Sequence, residues 1–271
     1  MSEGTVTSAD GTTIAYTAWG DGDPIVIIDG ATAYRATTPE NAATAELLAD
    51  EFLVINYDRR GRGESGDTPP YAVEREFDDL AAVIEQAGGG RPATVFGWSS
   101  GGNLALNAAQ AGVPLARIAL FEPNAAVDDT RPPLPADYVQ RVDAAVAEGR
   151  PGDAVALFMT EAVMMPADMV EGMRGEDWWA GLEAIAQTIA YDGRQVGDAL
   201  SGKPLRPDLW NRVDVPVLVM HGEDTWPAMA AGARAIAAHL PTATLKPVPG
   251  QEHSTTPAVL AAALRGFVEE N

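Results

Sequence analysis

The segment at positions 97–101, Gly-Trp-Ser-Ser-Gly, has the residue types and spacing of a nucleophilic turn. Its pattern is G-x-S-x-G, and it stands between a predicted strand at 94–96 and a predicted helix at 99–111, the context that this pattern requires. On such a turn the central residue, Ser99, has strained backbone angles and an exposed hydroxyl. The backbone N–H of Ser100 begins the helix and points toward negative charge that develops on a reacting group. Ser99 is therefore the candidate nucleophile.

A serine nucleophile needs a general base, and the chain has three histidines. His221 ends an apolar strand pattern and His239 lies within a helical pattern, so both have ordinary structural explanations. His253 follows the last predicted strand in a polar loop, on the edge of the sheet where Ser99 is also expected. His253 is the predicted base.

The histidine in turn needs a carboxylate that orients its ring. Asp224 leaves the seventh predicted strand on the same edge of the sheet and is the predicted acid. Glu223 is its nearest competitor, and Glu122, which follows the sixth strand, could supply the acid from another strand end.

Short apolar runs alternate along the chain with alanine-rich helical patterns. Such runs are typical of strands buried on both faces of a parallel sheet, so the alternation predicts an α/β fold. An opening hairpin is predicted at 6–8 and 12–19. Further strands are predicted at 25–28, 53–57, 94–96, 118–121, 215–221 and 244–248, and helices at 39–50, 74–87, 99–111, 228–240 and 257–270.

The alternation stops at 128–211, where the pattern is helical at 136–148, 153–163, 167–174 and 177–191. Both edges of this block are proline-rich and indicate linkers. An insertion after the sixth strand lies over the carboxyl ends of the strands, where open α/β sheets bind ligands, so it is predicted to be a lid. The predicted domains are a core at 1–127 and 212–271 and a helical cap at 128–211.

Composition excludes several classes of protein. The net charge is −21, which disfavours nucleic acid and anionic membranes as partners. There is no cysteine, which removes disulfides, thiolate metal sites and a cysteine nucleophile. The first twenty residues lack the cationic start and apolar stretch of a signal peptide, and no later segment approaches the roughly 18 apolar residues of a membrane span. A cytoplasmic protein is expected.

The chain resembles the α/β-hydrolase superfamily, in its capped esterase and epoxide-hydrolase-like branch. The resemblance covers nearly the whole sequence and rests on the opening hairpin, the turn at 97–101 (the nucleophile elbow), the acid after His221-Gly222, the late His253, and the segment 57–65. That segment, Tyr-Asp-Arg-Arg-Gly-Arg-Gly-Glu-Ser, is similar to the family's D-x-R-G-x-G-x-S turn. The order Ser99, Asp224, His253 is the order of the catalytic triad in this fold. Serine at the elbow argues against dehalogenase and epoxide hydrolase chemistry, because those relatives carry aspartate there.

The resemblance also implies an oxyanion hole formed by the backbone N–H groups of Ala31 and Ser100. The family commonly has His-Gly after the third strand, whereas this chain has Asp29-Gly30-Ala31. Ala31 can still donate its N–H. Asp29 is most simply explained by hydrogen bonds within the loop, but its position beside the hole makes it a candidate substrate contact as well.

Apolar side chains in and near the predicted lid suggest a small apolar substrate. Met165 and Met169 fall on one helical stripe, and Trp98 flanks the nucleophile. Trp178 and Trp179 are adjacent and cannot share a helical face, so one is expected to pack inward while the other lines the cleft or a contact surface.

Together these residues predict a serine hydrolase that cleaves an ester, a lactone or a related acyl group through an acyl-enzyme. The same triad in this family also serves C–C bond hydrolysis, perhydrolysis, acyl transfer and lyase chemistry, and the fold also occurs in non-catalytic small-molecule receptors. The residues imply no metal and no organic cofactor. The expected partner is a small-molecule substrate, and family members are often monomers or homodimers.

Overall fold

The computed structural model describes residues 1–269, and within them one eight-stranded sheet forms the centre of the fold. Its order is β1-β2-β4-β3-β5-β6-β7-β8, with β1 and β2 antiparallel to their neighbours and the remaining pairs parallel. This confirms the predicted α/β-hydrolase sheet with its opening hairpin. The strands are β1 (Ser2–Thr7), β2 (Thr13–Trp19), β3 (Asp23–Ile28), β4 (Phe52–Tyr57), β5 (Ala93–Trp98), β6 (Leu115–Phe121), β7 (Val217–Gly222) and β8 (Ala243–Val248).

Helices cover both faces of the sheet. One apolar layer is formed with α1 and α10, and the opposite layer with α2, α3 and α9, which is why the inner strands are mostly apolar on both faces. In chain order the helices are α1 (Pro39–Leu48), α2 (Val73–Ala82), α3 (Ser100–Ala111), α4 (Tyr138–Ala147), α5 (Pro151–Leu157), α6 (Ala167–Met173), α7 (Asp177–Glu183), α8 (Gln187–Val196), α9 (Pro227–His239) and α10 (Pro257–Glu269). The predicted last helix extends to residue 270, which, like the final residue of the predicted second core segment, lies outside the described residues.

The segment between β6 and β7 is helical, as predicted, and contains α4 to α8. These helices share an apolar cluster of their own, centred on Val142, Val155, Trp179 and Ile189. The predicted helix at 177–191 is two helices, because the chain turns at 184–186 between α7 and α8. The domain limits at 127/128 and 211/212 stay predictions.

Among residues 1–269, none of the helices combines the length and the apolar character needed to cross a membrane.

Candidate active site

The elbow between β5 and α3 has the strained geometry that its sequence predicts. Ser99 has φ 53° and ψ −122°, a conformation that costs a non-glycine residue free energy. Its backbone N–H donates to the carbonyl of Phe121 on β6 at 2.9 Å, which ties the turn to the sheet. This bond and the tight turn hold Ser99 at the carboxyl ends of the central strands.

The glycines of the elbow are required by close backbone approach. A Cβ on Gly101 would lie 2.4 Å from the carbonyl oxygen of Ile28 and 2.7 Å from that of Asp29. A Cβ on Gly97 would lie 2.5 Å from the carbonyl oxygen of Gly101. Helix α3 can begin this close to β3 and β5 only when these positions carry no side chain.

We expect Gly101→Ala to lower the free energy of unfolding by about 1–3 kcal/mol, because the added methyl group meets backbone that cannot turn away. The matched control is Gly172→Ala in α6, where a Cβ would meet nothing within 4 Å. Alanine there should leave stability unchanged or raise it by up to about 1 kcal/mol. Urea unfolding monitored by circular dichroism compares the two, and equal midpoints would contradict the steric account.

His253 is held by a buried carboxylate at the end of the neighbouring strand. Glu122 follows β6, is fully buried, and accepts a hydrogen bond from His253 Nδ1 at 2.5 Å. Its other contacts come from the backbone N–H of Gly222 at 2.9 Å and the hydroxyl of Thr225 at 3.0 Å. Glu122 also has a positive φ of 50°, so the backbone at this strand end is strained as it is at Ser99.

The structure corrects the predicted partner of His253. Asp224 is exposed, and its backbone N–H bonds the carbonyl oxygen of Gln251 while its carboxylate makes no hydrogen bond to residues 1–269. Glu122 reaches the ring instead, from one strand further toward the centre of the sheet. Both carboxylates lie at the same sheet edge, so the sequence left them as alternatives; in the structure it is Glu122 that bonds the His253 ring.

Two tryptophans lie next to the His253 ring. The ring centroid of Trp226 is 5.6 Å away with nearly parallel planes, and that of Trp98 is 5.4 Å away. Trp98 Nε1 donates to the backbone carbonyl of His253 at 2.9 Å. With Nδ1 bonded to Glu122, Nε2 is the nitrogen left to exchange a proton.

The hydroxyl of Ser99 accepts a hydrogen bond from Asn124 Nδ2 at 3.2 Å, and no hydrogen bond joins it to His253 in the described structure. Asn124 is fixed in turn by Asn103, which bonds both its backbone N–H and its carbonyl at 2.9 Å. Ser99, Asn124 and His253 all line one cavity. Sequence reasoning missed Asn124, since an asparagine in a strand-to-loop transition has no distinctive pattern.

The two predicted oxyanion donors, Ala31 and Ser100, lie on the same cavity. Neither backbone N–H donates to an acceptor elsewhere in residues 1–269. The loop that carries Ala31 is fixed by Arg62, whose Nη1 donates to the carbonyl oxygens of Gly30 at 2.6 Å and Ala33 at 3.2 Å. Both N–H groups are thus free and on well-fixed backbone.

Asp29 does not reach the cavity, so its prediction as a substrate contact is wrong. It is fully buried and accepts hydrogen bonds from Thr38, Asn41 and Asn56 at 2.6–3.1 Å. Burial raises the pKa of Asp29, and the hydrogen bonds from Asn56 and Thr38 oppose the shift. Its role is to tie the loop after β3 to α1 and β4.

The cavity has a volume of about 210 Å³ and is mostly apolar. Of the predicted substrate contacts, Trp98 lines it. The others do not: Trp179 is buried within the cap cluster, Met165 packs against that cluster, and Trp178 and Met169 are about half exposed. The apolar lining from the cap comes instead from Leu134, Tyr138, Phe158, Ala162, Val163, Met164, Ile189, Val196 and Leu200.

A buried ionic cluster at the wall of this cavity joins the cap to the core. Asp192 on α8 accepts hydrogen bonds from Arg59 Nη1 and from the Ser100 hydroxyl, each at 2.7 Å, and pairs with Arg62. Arg59 also pairs with the buried Glu76. Burial by itself raises the pKa of Asp192, but the two guanidinium groups outweigh it and hold that pKa below its ordinary value.

Asp192→Asn should therefore destabilise the fold by about 3–5 kcal/mol at pH 7, since it leaves the buried Arg62 without a carboxylate partner and Arg59 with Glu76 alone. Because the folded pKa is depressed, this contribution is fully present above the ordinary carboxyl range and is lost as the pH falls through the folded value. The control is Asp198→Asn, whose exposed pair with Arg206 should be worth less than about 1 kcal/mol. Equal urea midpoints for the two variants would show that the ion pairs of Asp192 do not stabilise the fold.

A sequence model described as the alpha/beta hydrolase family matches residues 19–263. The chain belongs to the alpha/beta hydrolase family. The match spans the elbow, the Glu122–His253 pair and the cap, so the arrangement described above lies within the family's own fold.

Individual relatives are consistent with this family membership. A crystal structure of an alpha/beta hydrolase from Sphaerobacter thermophilus DSM 20745 superimposes with a TM-score of 0.85 at 47% identity, covering 98% of this chain and 100% of that one. A non-heme chloroperoxidase from Streptomyces lividans is 31% identical over 98% of this chain and 99% of its own length. A bifunctional esterase/perhydrolase from Acinetobacter calcoaceticus is 27% identical over 82% of each chain. The alpha/beta hydrolase assignment identifies this protein as a hydrolase.

Proposed function

We propose that the protein is a serine hydrolase that cleaves a small ester or lactone through an acyl-enzyme. The observation that carries this proposal is the Glu122–His253 pair on the rim of a cavity that also contains Ser99 on its strained elbow. These are the nucleophile, base and orienting acid that acyl transfer needs.

In the first half of the reaction Ser99 Oγ attacks the carbonyl carbon of the substrate, and His253 Nε2 accepts the hydroxyl proton. For this step the Ser99 side chain exchanges its Asn124 contact for His253 by rotation about its Cα–Cβ bond. The backbone N–H groups of Ala31 and Ser100 bind the oxyanion, and Glu122 stabilises the imidazolium. His253 then returns the proton to the leaving oxygen as the ester bond breaks.

In the second half a water molecule attacks the acyl carbon. His253 takes a proton from that water, and the Ser99–acyl bond breaks to release the acid. Ser99 recovers its proton from His253, so the enzyme returns to its starting state.

The substrate should have a compact, mainly apolar body. The cavity of about 210 Å³ is lined by aliphatic and aromatic side chains from the cap, and its small volume favours short alkyl or aryl groups over long acyl chains.

Stopped-flow release of p-nitrophenol from p-nitrophenyl acetate, butyrate and octanoate tests the acyl-enzyme. We expect a burst whose amplitude matches the enzyme concentration, followed by slower turnover, with the octanoate ester poorest. His253→Ala should abolish both phases. A folded enzyme that releases no p-nitrophenol from any of the three esters would contradict the proposal.

Perhydrolysis is a second candidate, and the names of the curated relatives favour it. Four of those relatives are non-heme haloperoxidases and one is the bifunctional esterase/perhydrolase. Hydrogen peroxide can replace water in the second half: His253 takes a proton from it as its oxygen attacks the acyl carbon. The Ser99–acyl bond then breaks, a peroxy acid leaves, and His253 returns the proton to Ser99. Peroxy acid formed from acetate ester and peroxide, and absent in His253→Ala, would establish this activity; acid alone at high peroxide would exclude it.

A further inference from the structure

The cavity contains a buried cation that has no anionic partner among residues 1–269. Arg131, in the segment between β6 and α4, lines the cavity and is 6% exposed. Its Nε donates to the carbonyl oxygen of Pro132 at 3.2 Å and its Nη2 to that of Ala162 at 3.3 Å. Both bonds are longer than the usual 2.9–3.0 Å, and Nη1 makes no hydrogen bond within the described chain.

The other buried arginines are arranged differently. Arg59 pairs with Glu76 and Asp192, Arg60 with Asp79 and Asp10, and Arg62 with Asp192. In a chain with 39 acidic residues, carboxylates are abundant, yet none is placed at Arg131.

An unpaired buried charge is unfavourable in the free protein. Burial lowers the pKa of Arg131, with no carboxylate to oppose the effect. A ligand that carries an anionic group would supply the missing partner of the Arg131 guanidinium. The cavity is the space from which such a ligand would approach.

A second donor lies on the same cavity. Tyr138, the first residue of α4, is 2% exposed, lines the cavity and makes no side-chain hydrogen bond to residues 1–269. The Tyr138 hydroxyl and Arg131 Nη1 both keep some accessible surface, so a ligand can reach them. Asp192, the acidic residue of the lining, is already neutralised by Arg59 and Arg62.

We propose that the substrate carries a carboxylate, bound by the Arg131 guanidinium with the Tyr138 hydroxyl as a second donor, while its ester or lactone carbonyl meets Ser99. This proposal rests on the proposed function and narrows it to half-esters of dicarboxylic acids and to lactones that bear an acid group. It also refines the predicted apolar substrate, which becomes an apolar body with one anionic end.

Matched substrates test the charge without changing the protein. The monomethyl esters of succinic, glutaric and adipic acids are compared with the methyl esters of the corresponding mono-amides, which have the same shape and no charge. At fixed ionic strength we expect kcat/KM to favour the acid over its amide by about ten- to a hundredfold for the best chain length. A preference for the amide at every length would overturn the proposal.

Variants then locate the effect. Arg131→Met should reduce the acid-to-amide ratio of kcat/KM to near one, Arg131→Lys should retain part of it, and Tyr138→Phe should lower it about three- to tenfold. The control is Arg206→Met, an exposed arginine outside the cavity, which should leave the ratio unchanged. If Arg131→Met lowers kcat/KM equally for the acid and the amide substrates, Arg131 is structural and the proposal fails.

Binding separates this proposal from the proposed function. In Ser99→Ala protein, which cannot form an acyl-enzyme, calorimetry should show monomethyl glutarate binding at least tenfold more tightly than its amide, and Arg131→Met should remove the difference. Selective binding without ester turnover by the Ser99 enzyme would sustain the anion site and reject the hydrolase. Turnover of neutral esters without selective binding would do the reverse.

Discussion

Ser99→Ala is expected to lower kcat for p-nitrophenyl acetate by about 10⁴- to 10⁶-fold and to remove the burst. The reason is that Ser99 supplies the atom that bonds to the acyl carbon, so what remains is catalysis by the oxyanion donors and binding alone. The side chain makes one hydrogen bond, to Asn124, and its loss should leave the urea midpoint close to that of the parent protein.

The matched control is Ser201→Ala, an exposed serine beyond α8 and outside the cavity. It should retain full turnover. Ser99→Ala protein that remains folded and turns over at more than a tenth of the parent rate would show that another residue is the nucleophile.

Glu122→Gln should lower kcat by about 10³- to 10⁴-fold, whereas Asp224→Asn should change it less than twofold. Glutamine preserves the shape of the side chain and can still accept the Gly222 N–H, but its amide cannot stabilise the imidazolium or hold the ring with Nε2 as the proton acceptor. Asp224 is exposed and makes no hydrogen bond or ion pair with His253 within the described residues.

The pair of variants is decisive because the two residues compete for one role. Steady-state kinetics with p-nitrophenyl butyrate at saturating substrate gives kcat for both. If Asp224→Asn carries the larger loss, the sequence-based acid is the functional one and the Glu122–His253 contact is structural.

Local sequence patterns predict much of the fold. The apolar runs of β3, β5, β6 and β7 are unambiguous because these strands are buried on both faces, and the elbow was recognisable because strain and close approach demand glycine at 97 and 101. His253 could be found by elimination. His221 and His239 bond backbone carbonyls of Gly222 and Leu209, as their structural positions suggested.

The acid could not be chosen from sequence alone. Glu122 and Asp224 each follow a strand that ends at the same edge, and both are carboxylates. What separates them is the positive φ of Glu122 and the course of the loop that carries His253. Neither is encoded in a short pattern.

The cap was predictable as a helical block but not in its contacts. Trp179 packs into the core of the cap and Trp178 is exposed, so one of the two tryptophans turns inward as expected, but Trp178, Met165 and Met169 do not line the cavity. Arg131 and Asp192 were missed for a different reason. Charged residues are usually exposed, and it is the packing of the insertion on the core that buries these two.

The most direct test of the central claim is covalent labelling by diisopropyl fluorophosphate, followed by intact mass and peptide mapping. The account predicts one diisopropylphosphoryl group per chain, on the peptide that contains Ser99, with no labelling of Ser99→Ala and much slower labelling of Glu122→Gln. Labelling at another residue, or Glu122→Gln protein that reacts as fast as the parent, would contradict an activated Ser99 oriented through His253 by Glu122.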